Sequence, residues 1–204
     1  MGGTGSYDPY RRDPVGSPGV GPGQPEVPCV DLVLAATVQV PATPVDDLRA
    51  GAVLEVLRAD IDGAFIVAVV DAAGRLVGSI IDDLDRLLPC LSQGVAFIAE
   101  ILTIDHGVPR VRILAASIAR VEGESPYEVG ETVTPTLGVD APLVLDPTDA
   151  SSPLASTVTV DVGSGSSGIV RHHRTCELRA LMRVGVVFQG RIQSADTVVI
   201  RHIG

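Results

Sequence analysis

The longest apolar run in this chain is centred on Phe65 to Val70 and has the length of a single strand. The other apolar residues come in short Val, Ile, Leu and Ala stretches separated by Gly, Pro and Asp. That texture predicts short strands joined by turns rather than long helices. Composition points the same way. Apolar residues make up 46% of the chain, aromatics only 3%, and Trp is absent. The core is therefore aliphatic and rich in β-branched side chains, which suit a pleated, half-buried surface. A chain this apolar is not disordered as a whole.

No run approaches the roughly 20 residues that cross a bilayer. The start, Met1 to Arg12, has no apolar signal-peptide core, so the sequence reads as a cytoplasmic protein without a membrane segment. Met1-Gly2-Gly3-Thr4-Gly5-Ser6 fits the loose N-myristoylation pattern, but in a Gly-rich stretch that match is cheap and reads as chance. Cys29, Cys90 and Cys176 are odd in number, far apart and without a C-x-x-C pair. The expectation is three reduced, mostly buried thiols, with no disulfide framework and no metal site.

The formal charge of −10 is unevenly spread. Residues 1–150 hold nine Arg against 22 acids, and residues 151–204 hold six Arg against three. An acidic body repels a polyphosphate backbone at long range. The Arg-bearing end has the right sign for an anion, and it serves equally to neutralise the body it packs against.

The pattern divides the chain into four parts. Residues 1–28, rich in Gly and Pro, read as a disordered tail. Residues 29–121 read as a small barrel-like antiparallel sheet with a helical insert. Strands are expected at Val30–Val40, Val53–Arg58, Phe65–Val70, Arg75–Ile80, Val95–Ile104 and Arg110–Leu114, with a turn of helix near Val45–Ala50. The helix starts at Asp82, carries Leu84, Leu87, Leu88 and Leu91 on one face, and ends at Gly94. Residues 122–155 are acidic and hold five Pro; apart from one strand expected at Leu143–Leu145 they read as a linker or extended arm. Residues 156–204, with strand-like runs at Thr157–Val162 and Thr197–Ile203, read as an Arg-containing β segment that packs on the barrel or on another subunit, since fifty residues bury little alone. The fold class is α+β, dominated by strands, with no βαβ series.

Asp47-Leu48-Arg49-Ala50-Gly51, the strand from Val53, the buried strand, Gly74-Arg75-Leu76-Val77-Gly78 and Arg86 to Gly94 follow one another in an order that resembles the HIRAN domain. This is a small β-barrel with a helical insert, found in DNA-processing proteins. The resemblance covers roughly residues 30–115. It implies binding of single-stranded DNA ends through basic and aromatic residues. Where the family has an Asn-Pro-x-Asp-x-Asn-like segment, this chain has Ala59-Asp60-Ile61-Asp62-Gly63-Ala64, without Pro or Asn.

Several motifs invite chemistry. Gly163-x-Gly165-x-x-Gly168 follows a strand but precedes no clear helix and lacks the acid expected about 20 residues on, so it reads as a Gly/Ser hairpin. Asp82, Asp83 and Asp85 read as helix capping, and Asp60-x-Asp62-Gly63 as a turn. His106 reads as an exposed turn residue, and Gly78 as a site of close backbone packing. Arg171-His172-His173-Arg174, followed by Cys176 and Glu177, is the densest cluster. Read as a strand, it puts His172 and Arg174 on one face and Arg171 and His173 on the other. That suits anion or partner binding but does not bring the two His to one metal.

The leading reading is a non-catalytic binding or adaptor module acting through protein–protein contacts or self-association, with Arg171, His172, His173 and Arg174 as its contact residues. It needs no cofactor. The alternatives are a single-stranded DNA end-binding module and a hydrolase-like enzyme using His172, His173 and Cys176.

Overall fold

The computed structural model describes residues 27–39, 48–61, 63–130, 138, 140–147, 154, 156–161, 167–194 and 196–204. Residues 1–26 of the tail expected at 1–28, the break at Pro41–Pro44 and Gly163-Ser164-Gly165-Ser166 lie outside them. Among the described residues no helix is long and apolar enough to cross a membrane.

Two closed six-stranded antiparallel barrels form the molecule. The first holds β1 (Val33–Gln39), β2 (Val53–Ile61), β3 (Ala64–Val70), β4 (Leu76–Ile80), helix α1 (Leu84–Ser92), β5 (Phe97–Asp105) and β6 (Val108–Ala115). Around the ring the order is β1-β4-β3-β2-β5-β6, closed by β1 pairing with β6. Strict alternation sends Leu34, Ala36 and Val38 of β1, and Val111 and Ile113 of β6, into the barrel. On β3, Val67 and Val69 face that core, while Ala68 and Val70 are buried on the opposite side against Leu154. The expected two-sided burial therefore holds for Val67–Val70, but Phe65 at the strand's start is 67% exposed.

Gly78 shows why closure depends on sequence. A Cβ there would lie 1.9 Å from the Gln39 carbonyl oxygen, where β1 meets β4. The hairpin between β2 and β3 turns as expected, with Gly63 at φ 78° donating its N–H to Asp60 at 2.9 Å. Helix α1 buries Leu87 and Cys90 against the barrel and is not broken by Pro89. It ends at Gly94, whose φ of 80° lets Val95 N–H reach the Cys90 carbonyl at 3.1 Å. Its start differs from the capping expectation. Asp83 has no side-chain cap bond, and Asp82 instead accepts from Thr37 N–H of β1 at 3.1 Å. Leu48–Ala50 are not helical.

The expectation of three reduced thiols is corrected. Cys29 and Cys90 form a disulfide with Cα atoms 5.4 Å apart, and Cys176 alone is free and buried. Separation along the chain misled the reading. Cys29 lies in the 3₁₀ turn leading into β1, and α1 folds its inward face, with Cys90, back onto that end of the barrel.

The linker and the appended segment are corrected too. After α2 (Ile118–Gly123), β7 (Tyr127–Gly130) lies inside the stretch expected to be a linker, and the strand expected at Leu143–Leu145 is the middle of a longer β8 (Asp140–Pro147). They join β9 (Ser156–Asp161), β10 (Ser167–Arg171), helix α3 (Thr175–Arg183), β11 (Phe188–Ser194) and β12 (Thr197–His202) in the second barrel. In β8 the acid and the proline that read as linker, Asp140 and Pro142, face outwards, while Ala141 and Leu143 face the core.

The second barrel repeats the first. Its ring order, β7-β10-β9-β8-β11-β12, is that of the first barrel strand for strand. From the helix into the following strand the offset is constant: α1 matches α3, Gly94 matches Gly185 with φ 95°, and buried Phe97 matches buried Phe188.

The two barrels share α3. Arg179, with 0% exposure, forms an ion pair with Glu55 of β2. It also donates to the carbonyls of Asp71 (2.6 Å), Ala72 (3.2 Å) and Ser156 (3.0 Å). Arg183 Nε lies 2.6 Å from the other Glu55 oxygen. Val53, Ala96 and Ile98 of the first barrel join the second barrel's apolar cluster.

Gly78→Ala should lower stability by about 3 kcal/mol or more, because backbone must move to admit the methyl group. Gly123→Ala, which meets open space, should change it by less than about 1 kcal/mol. Urea unfolding midpoints of the two variants test the contrast.

Candidate functional site

The sequence around Arg171–Arg174 ends a strand and starts a helix. Strand β10 stops at Arg171, His172 and His173 form a turn, and Arg174 is the residue before α3. This corrects the strand reading, and the physical reason is local hydrogen bonding. His172 N–H donates to Thr175 Oγ1 at 2.8 Å, Thr175 N–H to the His172 carbonyl at 3.0 Å, and Arg174 N–H to His172 Nδ1 at 3.2 Å. These bonds close a turn in place of ladder pairing. The two imidazoles then lie on the same side, with ring centroids 4.1 Å apart, and His172 also stacks on Tyr127 at 4.4 Å.

The four residues have different surroundings. Arg171 and His173 are exposed, while His172 and Arg174 are half-buried. The Arg171 guanidinium lies across Gly130 of β7. His173 Nε2 faces Glu124 at 3.7 Å. Arg174 points inwards, with Nη1 at 3.5 Å from Glu100 and 3.3 Å from Glu177. Glu177, fully buried, accepts from Ser117 N–H at 2.9 Å and from Arg120 Nε at 2.8 Å. Arg174 thus belongs to the ionic network joining the barrels, whereas Arg171, His172 and His173 are open to a ligand.

Two cavities flank the Asp71–Gly74 turn between the barrels. One, of about 450 Å³, is lined by the Leu48–Leu54 stretch, Asp71, Arg75 and His173. The other, of about 400 Å³, is lined by Thr157, Val158, Ile169, Arg171, His172 and Thr175. Ala72 and Ala73 line both. The floor is largely apolar and the rim carries Arg49, Arg75 and Arg171. Asp71 holds the turn, accepting from Ala73 N–H (2.9 Å), Arg75 N–H (2.8 Å) and Arg75 Nε (2.7 Å).

Electrostatics separate binding from catalysis here. Burial pushes the Cys176 thiol up to about 12, against the opposing charge of Arg179. Its Sγ lies 3.9 Å from the Val70 carbonyl and 4.0 Å from Arg179 Nη2, neither of them a general base. A thiol held protonated and out of solvent is not an activated nucleophile. The His172 pKa is lowered, first by burial and then by the neighbouring His173, with Glu124 opposing. For Glu100, burial acts to raise the pKa, but Arg112 and Arg174 outweigh it and hold the group below its ordinary value.

The other motifs fall as follows. Gly168 lies in β10 and no helix follows it directly, in keeping with a hairpin. His106 is exposed beside Asp105. Glu55, Glu100, Arg120, Glu124 and Arg179 went unnoticed in sequence because each pairs with a residue far along the chain. A signal existed for Arg179, which stands where the first barrel's helix has Leu88. Compared with family models, curated proteins and solved structures, the chain matches none.

Iodoacetamide at neutral pH should modify Cys176 only after denaturation; labelling of the folded chain at a free-thiol rate would contradict its burial. Stability should also respond to acid through His172. A depressed folded pKa means that the unfolded chain binds the proton first, so this contribution is present above the unfolded value of 6.5 and is lost as pH falls through the folded one. Urea midpoints should decline as pH falls below about 6.5, and His172→Gln should flatten that decline.

Proposed function

We propose that the protein is a non-catalytic binding module that captures an acidic segment of a protein partner in the cleft between its two barrels. The observation carrying this reading is the cationic rim of Arg49, Arg75 and Arg171 with His173, around a largely apolar floor, on a chain of net charge −10. Acids meet most of the interior Arg charges at the junction and Asp71 meets Arg75, so the rim offers an external anion chiefly the exposed Arg171. Carboxylates suit such a rim because the guanidinium fork binds them through paired hydrogen bonds. The acidic remainder of the surface disfavours a long polyphosphate.

A second reading, binding of single-stranded DNA ends, has its own observation. In the β2–β3 hairpin, where the family that the chain resembles has its Asn-Pro-x-Asp-x-Asn-like segment, Phe65 is exposed and Arg58 stacks over its ring at 4.3 Å. An exposed aromatic beside a cation is a platform on which a base can stack.

Fluorescence anisotropy with a labelled oligo-glutamate peptide, and with labelled single-stranded DNA whose 3′ end is free or blocked, separates the two at low and moderate salt. The first reading predicts saturable peptide binding that Arg171→Glu weakens at least about tenfold while Phe65→Ala leaves it unchanged. End-dependent DNA binding lost in Phe65→Ala would favour the second. Absence of peptide binding at low salt would refute the first.

A further inference from the structure

Glu124, His172 and His173 each offer one ligand atom, and these atoms all lie within 4.8 Å of one another. They come from two places in the chain: Glu124 directly follows α2, and the two His form the turn before α3. Two imidazoles and a carboxylate are a donor set that borderline divalent ions favour. The spacing suits a shared ion better than a direct bond. His173 Nε2 and Glu124 Oε2 are 3.7 Å apart, too far for a hydrogen bond. Two donors on one tetrahedral Zn²⁺, each about 2.1 Å from it, would stand about 3.4 Å apart.

We propose that Glu124, His172 and His173 bind one divalent transition ion, Zn²⁺ by preference, at the junction of the two barrels. With three protein ligands the site is open, and its remaining position is filled by water or an anionic group. His173 lines one junction cavity and His172 the other, so that position is reachable from the cleft.

Coordination has a defined local consequence. A neutral imidazole has one lone pair, and that of His172 is engaged by Arg174 N–H at 3.2 Å. Ligation through Nδ1 replaces this bond directly. Ligation through Nε2 moves the ring proton to Nδ1 and ends the bond as well. Either way no proton is lost, and the ion is coupled to the first turn of α3. The Arg174 guanidinium, 4.0 Å from Glu124, is already matched by Glu100 and Glu177. The proposal does not depend on which partner the cleft takes.

The test uses the full, untagged chain stripped with chelator and then titrated with Zn²⁺ by calorimetry and with Co²⁺ by visible absorption. The expected result is one Zn²⁺ per chain, with affinity lowered more than about tenfold by Glu124→Gln and by His173→Ala. His106→Ala and His202→Ala should leave it unchanged. Co²⁺ should give the strong visible bands of a four-coordinate ion without a thiolate charge-transfer band, since Cys176 is buried. Co²⁺ keeping its hexaaqua spectrum, or Zn²⁺ affinity surviving the double variant His172→Ala/His173→Ala, would overturn the proposal. The Co²⁺ spectrum of the unaltered chain decides without any variant.

Discussion

The buried ion pair between Arg179 and Glu55 is the contact on which the arrangement of the two barrels rests. Both side chains are removed from water, and the guanidinium is further satisfied by three backbone carbonyls. Burying such a pair yields little net stability, but removing one partner leaves an uncompensated charge and costs about 3–5 kcal/mol. The pair thus acts chiefly by forbidding other arrangements. Arg179 finds its acceptors only when α3 lies against β2 and the Asp71–Gly74 turn, and that placement forms the walls of the cleft. The His172–His173 turn is the start of the same helix, so the contact that joins the barrels also positions the site.

The internal repeat explains why this contact occurs once. Where α3 has Arg179, α1 has Leu88; the outward residues of α1, Asp85, Arg86 and Pro89, are exposed. Glu55 pairs across the sheet with Ile98, and the matching position in the second barrel is Pro142, opposite Gln189. A head-to-tail contact between equal units would propagate into a filament. Here one barrel carries the charged helix and the other the receiving carboxylate, so the contact is satisfied within the chain.

Much of the first barrel was legible because each strand alternates or runs apolar between Gly and Asp turns, and Leu84, Leu87 and Gly94 mark a helix and its end. Of the second barrel, the strands expected at Leu143–Leu145, Thr157–Val162 and Thr197–Ile203 fall on β8, β9 and β12, but their closure into a ring was hidden by its outer face. Asp140, Pro142 and Pro147 read as linker although Ala141 and Leu143 keep the period of a strand. Helix α3 was obscured because Glu177, Arg179 and Arg183 look like solvent-facing charges and are paired at the junction instead. The Arg171–Arg174 cluster was visible as a cluster, but its geometry was not, since the turn depends on Thr175 and the third member of the triad, Glu124, lies far back in the sequence. The Cys29–Cys90 disulfide was similarly out of reach of any spacing argument.

If α3 makes one cooperative unit of two barrels, amide hydrogen exchange at increasing urea should show the cores of both opening together in the unaltered chain. In Arg179→Met, which leaves Glu55 buried without its main partner, the same experiment should split this into two openings at different urea concentrations. Independent opening of the barrels in the unaltered chain, unchanged by Arg179→Met, would contradict the account.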